Sequence, residues 1–221
     1  MRTQQHRGVH MRIAIIGSGN VGSALAAAAT KAGHDVTLSA SEAESAREAA
    51  AKVGARSADS NADAVRDAEV VVLAVPGLAV SSVADELGSE LDGKVVVDST
   101  NPINETFDDL FTTGRSSAEE LQDKVPNAKV VKAFNTIFAG RHGSPFEGEQ
   151  PLDAFVAGDD ADAKAKTGEL ATSLGYRVID AGGLRMARSL EEMAFLNISL
   201  NATKGWVWQS GWKLVGPTEA Q

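Results

Sequence analysis

The chain has 221 residues, 43% of them hydrophobic, a net charge of -9 and no cysteine, which suits one substantial domain with a short extension. The composition excludes disulfides, thiolate metal sites and cysteine nucleophiles, and the acidic balance speaks against a nucleic-acid partner. No run approaches the roughly 18 apolar residues that span a bilayer and no secretory apolar core opens the chain, so a cytoplasmic protein with no membrane partner is expected.

Residues 1–10, MRTQQHRGVH, are polar and aperiodic and read as a flexible lead-in, which makes His6 and His10 poor ligand candidates. The apolar run from Met11 to Ile16 reads as a buried parallel strand, and the Ala-rich stretch from Ser23 to Ala32 as a helix. Next come a strand over 35–39, a helix over 42–53, a helical turn over 61–67 and a strand over 69–75. A helical stretch over 78–91, a strand over 94–98, a helix over 117–124 and a strand over 129–134 follow. The segment 139–151, rich in Gly, Pro and Glu, reads as a long loop. A strand over 154–157, a helix over 160–174 and a strand over 177–180 complete the alternation, which predicts right-handed crossovers and a parallel sheet. The last part, 184–215, shows one long helical pattern and then an aromatic cluster, Trp206, Trp208 and Trp212. Its Leu190, Met193, Phe195, Leu196, Ile198 and Leu200 surround the helix, and such a helix must be buried, by its own sheet or by a second subunit.

Between the first strand and helix stands Gly17-Ser18-Gly19-Asn20-Val21-Gly22. Strand, G-x-G-x-x-G, helix is the context that gives this pattern its meaning. Gly17 permits a sharp turn, Gly19 leaves room for a diphosphate, and Gly22 lets helix and strand pack closely, with the free amides of the helix start facing the phosphates. A dinucleotide is thus expected.

The second strand ends Ser39-Ala40-Ser41, without the acid that holds an NAD ribose. Hydroxyls of Ser39 and Ser41, with Arg47 in the next helix, favour the 2'-phosphate of NADP. Against this, Ser41-Glu42-Ala43-Glu44 also fits a helix capping box, and Glu42 and Glu44 place negative charge nearby. Ala74, Val75 and Pro76 leave a strand at its carboxyl end, where ligands lie in open parallel sheets. Asp98 is placed to cap the turn at Asn101-Pro102.

Acid–base groups are scarce. His34, at a helix end, reads as structural; His142 falls in the long loop; Tyr176 lacks a lysine four residues on. No metal-ligand or hydrolase motif is present. Hydride transfer between two redox cofactors needs positioning and a dry site, and no protein acid at the hydride-carrying carbon. A non-catalytic NADP(H) sensor fits this scarcity equally.

RIAIIGSGNVGSALA, LAVPG, VVKAFNTI (130–137), AGDDADAKA (157–165), VIDAGGLRMARSLE (178–191) and SGWKLVGP (210–217) together resemble the NADPH-dependent coenzyme F-420 (F420) reductases, also called F420:NADP oxidoreductases. The resemblance implies hydride transfer between NADP(H) and the deazaflavin F420 on a Rossmann-like doubly wound parallel sheet with a C-terminal helical extension. It implies that Ala133 to Ile137 line the meeting point of the two rings, with Asn135 and Thr136 in positioning roles only. Characterised archaeal members carry His where this chain has Asn135, and the family has a Ser-Arg pair where it has Ala40-Ser41. Arg188 is implied as a contact for the anionic side chain of F420, its alternative being a surface charge beside Glu191 or Glu192. The organisation expected is a lead-in over 1–10, an NADP-binding Rossmann domain over 11–183 and a segment over 184–221 that forms a homodimer and the acceptor site. An NADPH-dependent flavin or ferric reductase using FMN or FAD stays open beside it.

Overall fold

The computed structural model describes residues 9–216 and 218, so most of the expected lead-in lies outside the described residues. Among the described residues, ten strands and seven α-helices follow in chain order: β1 (Arg12–Ile16), α1 (Asn20–Lys31), β2 (Asp35–Ser39), α2 (Ala43–Val53), β3 (Arg56–Ser57), α3 (Asn61–Val65), β4 (Val70–Leu73), α4 (Val80–Leu87), β5 (Val95–Asp98), α5 (Ser117–Lys124), β6 (Lys129–Ala133), β7 (Phe146–Glu147), β8 (Gln150–Pro151), β9 (Asp153–Gly158), α6 (Ala161–Ser173), β10 (Arg177–Gly182) and α7 (Ala187–Lys204).

Eight strands form one sheet in the order β10-β9-β6-β5-β4-β1-β2-β3. From β3 to β6 this is the doubly wound order, with its reversal between β1 and β4. Strands β1, β4, β5 and β6 read as continuous β-branched runs because both faces are covered. One face carries α1, α2 and α6 over Ile13, Ile15, Val70, Val72 and Val97. The other carries α3, α4 and α5 over Ala14, Ile16, Val71, Leu73 and Val96.

Three expectations need correction. The sheet is mostly rather than wholly parallel: β9 runs antiparallel to β6, Ala133 opposite Val156. The connection from β6 to β9 contains no crossover helix, only a 3-10 turn (Ala139–Arg141) and the β7–β8 hairpin. A chain that returns without a helical crossover arrives antiparallel. Second, of the C-terminal helical segment expected over 184–221, the α-helix ends at Lys204, before the aromatic cluster. Gly205 adopts φ 65 in the left-handed region and caps α7. Residues 206–216 then run as an irregular strap, anchored where the Leu214 amide donates to Asp153 at 2.6 Å and Trp212 Nε1 to the Met193 carbonyl at 3.2 Å.

Third, the 139–151 loop is packed. Arg141 is buried and donates to the carbonyls of Phe146 and Gln209. His142 is buried, bonded through Nδ1 to the Tyr176 hydroxyl at 2.8 Å, and edge-on to Phe134. Burial pushes the His142 imidazole down to about 4. Because the folded state resists a proton that the unfolded chain accepts near pH 6.5, stability is full above that pH and falls as pH drops toward 4, by roughly 3 kcal/mol from this group. Urea midpoints at pH 7.0 and 4.5 check this: His142→Gln should flatten the difference, and an unchanged difference would refute it. His34, by contrast, is structural as expected. It accepts from the Met11 amide at 3.2 Å and meets Ser173 Oγ at 2.8 Å, tying β1 and α6 to the end of α1.

Helix α7 buries Ala187, Leu190, Glu191, Ala194, Asn197 and Asn201 against its own subunit. Met193, Phe195, Ile198 and Leu200 are half-buried, and Leu196 is 50% exposed.

Candidate active site

The ends of β1 and β4 meet at the sheet's reversal point. The Gly17 amide donates to the Ser39 carbonyl at 2.8 Å and the Ala74 amide to the Ile16 carbonyl at 2.9 Å. Gly17 takes φ 115, where a Cβ would overlap the Ala74 carbonyl; a Cβ on Gly22 would overlap the Gly17 carbonyl. Both glycines are therefore demanded by backbone packing. Gly19 differs: its backbone is extended (φ -69, ψ -169), and a Cβ there would meet nothing within 4 Å. It is the N-cap of α1 and makes no side-chain cap, so the amides of Asn20, Val21 and Gly22 open the helix without an intrahelical acceptor. Ser23 steadies the turn by donating to the Ser18 carbonyl at 2.8 Å.

Two concavities flank this turn. A cleft of about 490 Å³ is lined by Val21, Ala74, Val75, Pro76 and the ends of β5. A groove of about 830 Å³ lies between Ser18–Ala24, Phe138–Gly140 and Val207–Gln209 of the strap. Val21 lines both. The groove wall is aromatic, with Phe138 and Trp208 edge to face at 5.4 Å.

Past the end of β6 the chain makes an unusual turn. Phe134, buried, sits at φ 66, where non-glycine residues are strained and tend to mark functional sites. Asn135 follows. Its Nδ2 donates to Asn101 Oδ1 and to the Leu190 carbonyl, both at 2.9 Å. Asn101 returns a bond from Nδ2 to the Asn135 carbonyl at 2.9 Å. Since two of these partners are main-chain carbonyls, which only accept, both amide orientations are fixed. Asn135 Oδ1 is then left buried with no partner, an acceptor whose lack costs about 1–3 kcal/mol until a donor arrives. Ala133, Thr136 and Ile137 are buried as well, and neither they nor Asn135 are among the residues that line the two concavities.

Beneath lies a charged cluster that sequence reading missed. Lys132 of β6 is fully buried, its Nζ 2.8 Å from both Asp98 Oδ2 and Glu191 Oε1. Burial alone would lower the Lys132 ammonium, but the two carboxylates outweigh it and hold it above the usual lysine range. Burial raises the Glu191 carboxyl, against the pull of Lys132. Asp98 does cap its turn: Oδ1 accepts from the Thr100 amide at 2.9 Å and from its hydroxyl at 2.7 Å. The only sequence signal was a lysine inside an apolar strand.

The remaining expected contacts divide. Ser39 is fully buried and donates to Asn61 Oδ1 at 2.8 Å, so its hydroxyl braces α3 instead of facing a phosphate. Ser41 is exposed and does not cap α2, whose N-cap is Glu42, so the capping-box alternative falls. Arg47 is exposed and is held by Glu44 at 2.8 Å and Asp59 at 2.8 Å. Arg188 pairs with Glu119 at 3.2 Å, rather than with Glu191 or Glu192, and lies beside α5 away from both concavities. Leu78, Ile103 and Phe107 in the cleft, and Phe138 and Val207 in the groove, went unnoticed because scattered apolar residues in loops carry no periodicity.

A family model described as NADP oxidoreductase, coenzyme F420-dependent, matches residues 12–102. The F420-dependent NADP reductase of Methanothermobacter marburgensis is 34% identical over 214 residues, covering 86% of this chain and 92% of that protein. That of Methanothermobacter thermautotrophicus is 34% identical over 216 residues, covering 86% and 89%. A solved structure assigned as an F420-dependent NADP reductase from an Arthrobacter species superposes with a TM-score of 0.81 at 30% identity, covering 90% of this chain and 97% of that one. With its sheet order, its glycine turn at the reversal point and this end-to-end likeness, the chain belongs to the F420-dependent NADP reductase family.

Proposed function

We propose that this protein transfers a hydride between NADP(H) and the deazaflavin coenzyme F420. The observation that carries the reading is a glycine turn with an empty Cβ position and uncapped amides, set between two concavities that share Val21. The amides of 20–22 hold the diphosphate, with Ser18 and Gly19 giving close approach. Ala74, Val75 and Pro76 line the path of the ribose. Exposed Ser41 and Arg47 meet the 2'-phosphate, the guanidinium giving up Glu44 or Asp59 to do so. The groove below Phe138 and Trp208 takes the second ring. Arg188 reaches the anionic side chain of F420 only by releasing Glu119.

The chemistry supplied by the bound substrates is a two-electron exchange, in which NADPH, deazaflavin and one proton give NADP+ and reduced deazaflavin. The chain's own part is to orient and to exclude water. Asn135 acts through Asn101, which it holds on the cleft wall, and, being an amide, moves no proton. Thr136 and Ile137 follow it in the same buried turn. Glu105 is the titratable residue among those lining the cleft and none lines the groove, so rate comes from alignment of the rings.

The half-covered outer face of α7 supports a homodimer through Met193, Leu196 and Leu200.

Mixing the purified protein with NADPH and F420 tests the reading: the long-wavelength absorbance of F420 should bleach, faster than FMN or FAD is reduced and faster than with NADH. Light scattering on the same sample should give twice the chain mass. Tight NADP(H) binding with no bleaching would instead favour a sensor, and preferred reduction of FMN or FAD would favour a flavin reductase.

A further inference from the structure

The buried cluster and the site belong to one closed ring of bonds. Lys132 Nζ bonds Asp98 Oδ2; Asp98 Oδ1 holds Thr100, whose neighbour is Asn101. Asn101 is clasped by Asn135, Asn135 donates to the Leu190 carbonyl, and the next residue, Glu191, returns to Lys132. The ring joins β5, β6 and α7. Ser99, Thr100 and Asn101 line the cleft on one side, while α7 leads into the strap that lines the groove on the other.

Stability does not account for this arrangement. A buried triad of charges is on average no better than well-packed apolar side chains of the same volume, and often worse. What it adds is direction: three charged groups satisfy one another in one geometry only. Lys132 and Asp98 are register partners on adjacent strands, so the β side of the ring is rigid. Glu191 is the sole charged residue among those that α7 buries, and it fixes the rotation and height of that helix.

We infer that Lys132 and Glu191 are positioning residues for hydride transfer: their bond fixes α7, and with it the Leu190 carbonyl that holds Asn135 against Asn101 on the cleft wall. The inference rests on the hydride-transfer reading above. Hydride transfer is sensitive to such spacing, since a displacement of about 1 Å can cost on the order of 100-fold in rate. The ring shares Thr100 and Asn101 with the cleft that takes the nucleotide but includes no residue of the diphosphate turn, so kcat moves further than NADP+ affinity.

The test is a double-mutant cycle on the full chain with Glu191→Gln and Asn135→Ala. Glu191→Gln keeps an acceptor for Lys132 and removes the charge. Each variant is assayed for kcat and KM with NADPH and F420, for NADP+ affinity by calorimetry, and for exchange of the Asn135 side-chain amide by NMR in the substrate-free protein. The ring predicts that Glu191→Gln lowers kcat at least tenfold, changes the NADP+ Kd by a smaller factor than kcat, and speeds Asn135 amide exchange at least tenfold. The double variant should be no slower than the worse single one. Unchanged kcat, multiplicative effects or unchanged amide exchange would overturn it. If Glu191→Gln does not fold, Glu191→Asp, which keeps the charge and shortens the arm, is read the same way. Should the native protein fail to reduce F420, the hydride-transfer reading falls, while amide exchange still reports on the ring.

Discussion

Gly19→Leu is expected to reduce NADP(H) affinity about 100-fold, or about 2.7 kcal/mol, while leaving the melting temperature nearly unchanged. Three observations combine here. The Gly19 backbone is in an extended conformation open to any residue, so leucine introduces no strain. No atom of the described residues lies within 4 Å of the added Cβ, so the substitution enters open space. The new side chain starts beside the helix amides and takes up room that a diphosphate needs. Gly22→Ala makes the contrast. Its Cβ would strike the Gly17 carbonyl, forcing α1 away from β1, so stability falls along with binding. Calorimetry with NADP+ and thermal melts of both variants separate the two effects. An unchanged Kd for Gly19→Leu would place the diphosphate elsewhere.

Lys132→Met should be the most destabilising single substitution at the site, by about 3–5 kcal/mol. Methionine fits the volume, but Asp98 and Glu191 are then left as two uncompensated carboxylates, 0% and 1% exposed, in the same buried space. Exchanging all three for apolar residues of matched size should restore most of the stability, because unpaired charge, not lost contact, is the cost. The restored protein should still be slow if the ring positions Asn135. Urea unfolding checks the first statement: a midpoint for Lys132→Met within error of the native protein would contradict it.

The fold was largely legible from the chain because a parallel sheet covered on both faces writes β-branched runs between helical patterns. Val70–Leu73 and Val95–Asp98 are such runs. The antiparallel entry of β9 was not legible, since strand direction depends on the connection, and the connection from 139 to 151 has too few periodic residues to announce a hairpin. The path of the strap past Gly205 was not legible because the aromatic cluster Trp206, Trp208 and Trp212 has no helical or strand spacing. At the site, the glycine turn could be read from spacing alone, since its backbone geometry admits only glycine at Gly17 and Gly22. Ser39 looked like a phosphate ligand because sequence gives position along a strand but not which way a hydroxyl turns; it turns inward to Asn61. The Asn101–Asn135–Leu190 clasp joins residues far apart in the chain, so no local pattern could signal it. Phe134 at positive φ was likewise invisible, as strain at one residue leaves no compositional trace.

The most direct test of the whole account is isotopic. NADPH carrying deuterium at C4 of the nicotinamide is mixed with the protein and F420 in ordinary water, and reduced F420 is examined by mass spectrometry. Direct ring-to-ring transfer predicts one deuterium per reduced F420 from one of the two C4 stereoisotopomers and none from the other. Reduced F420 without label from either would mean that the rings never meet in the site described.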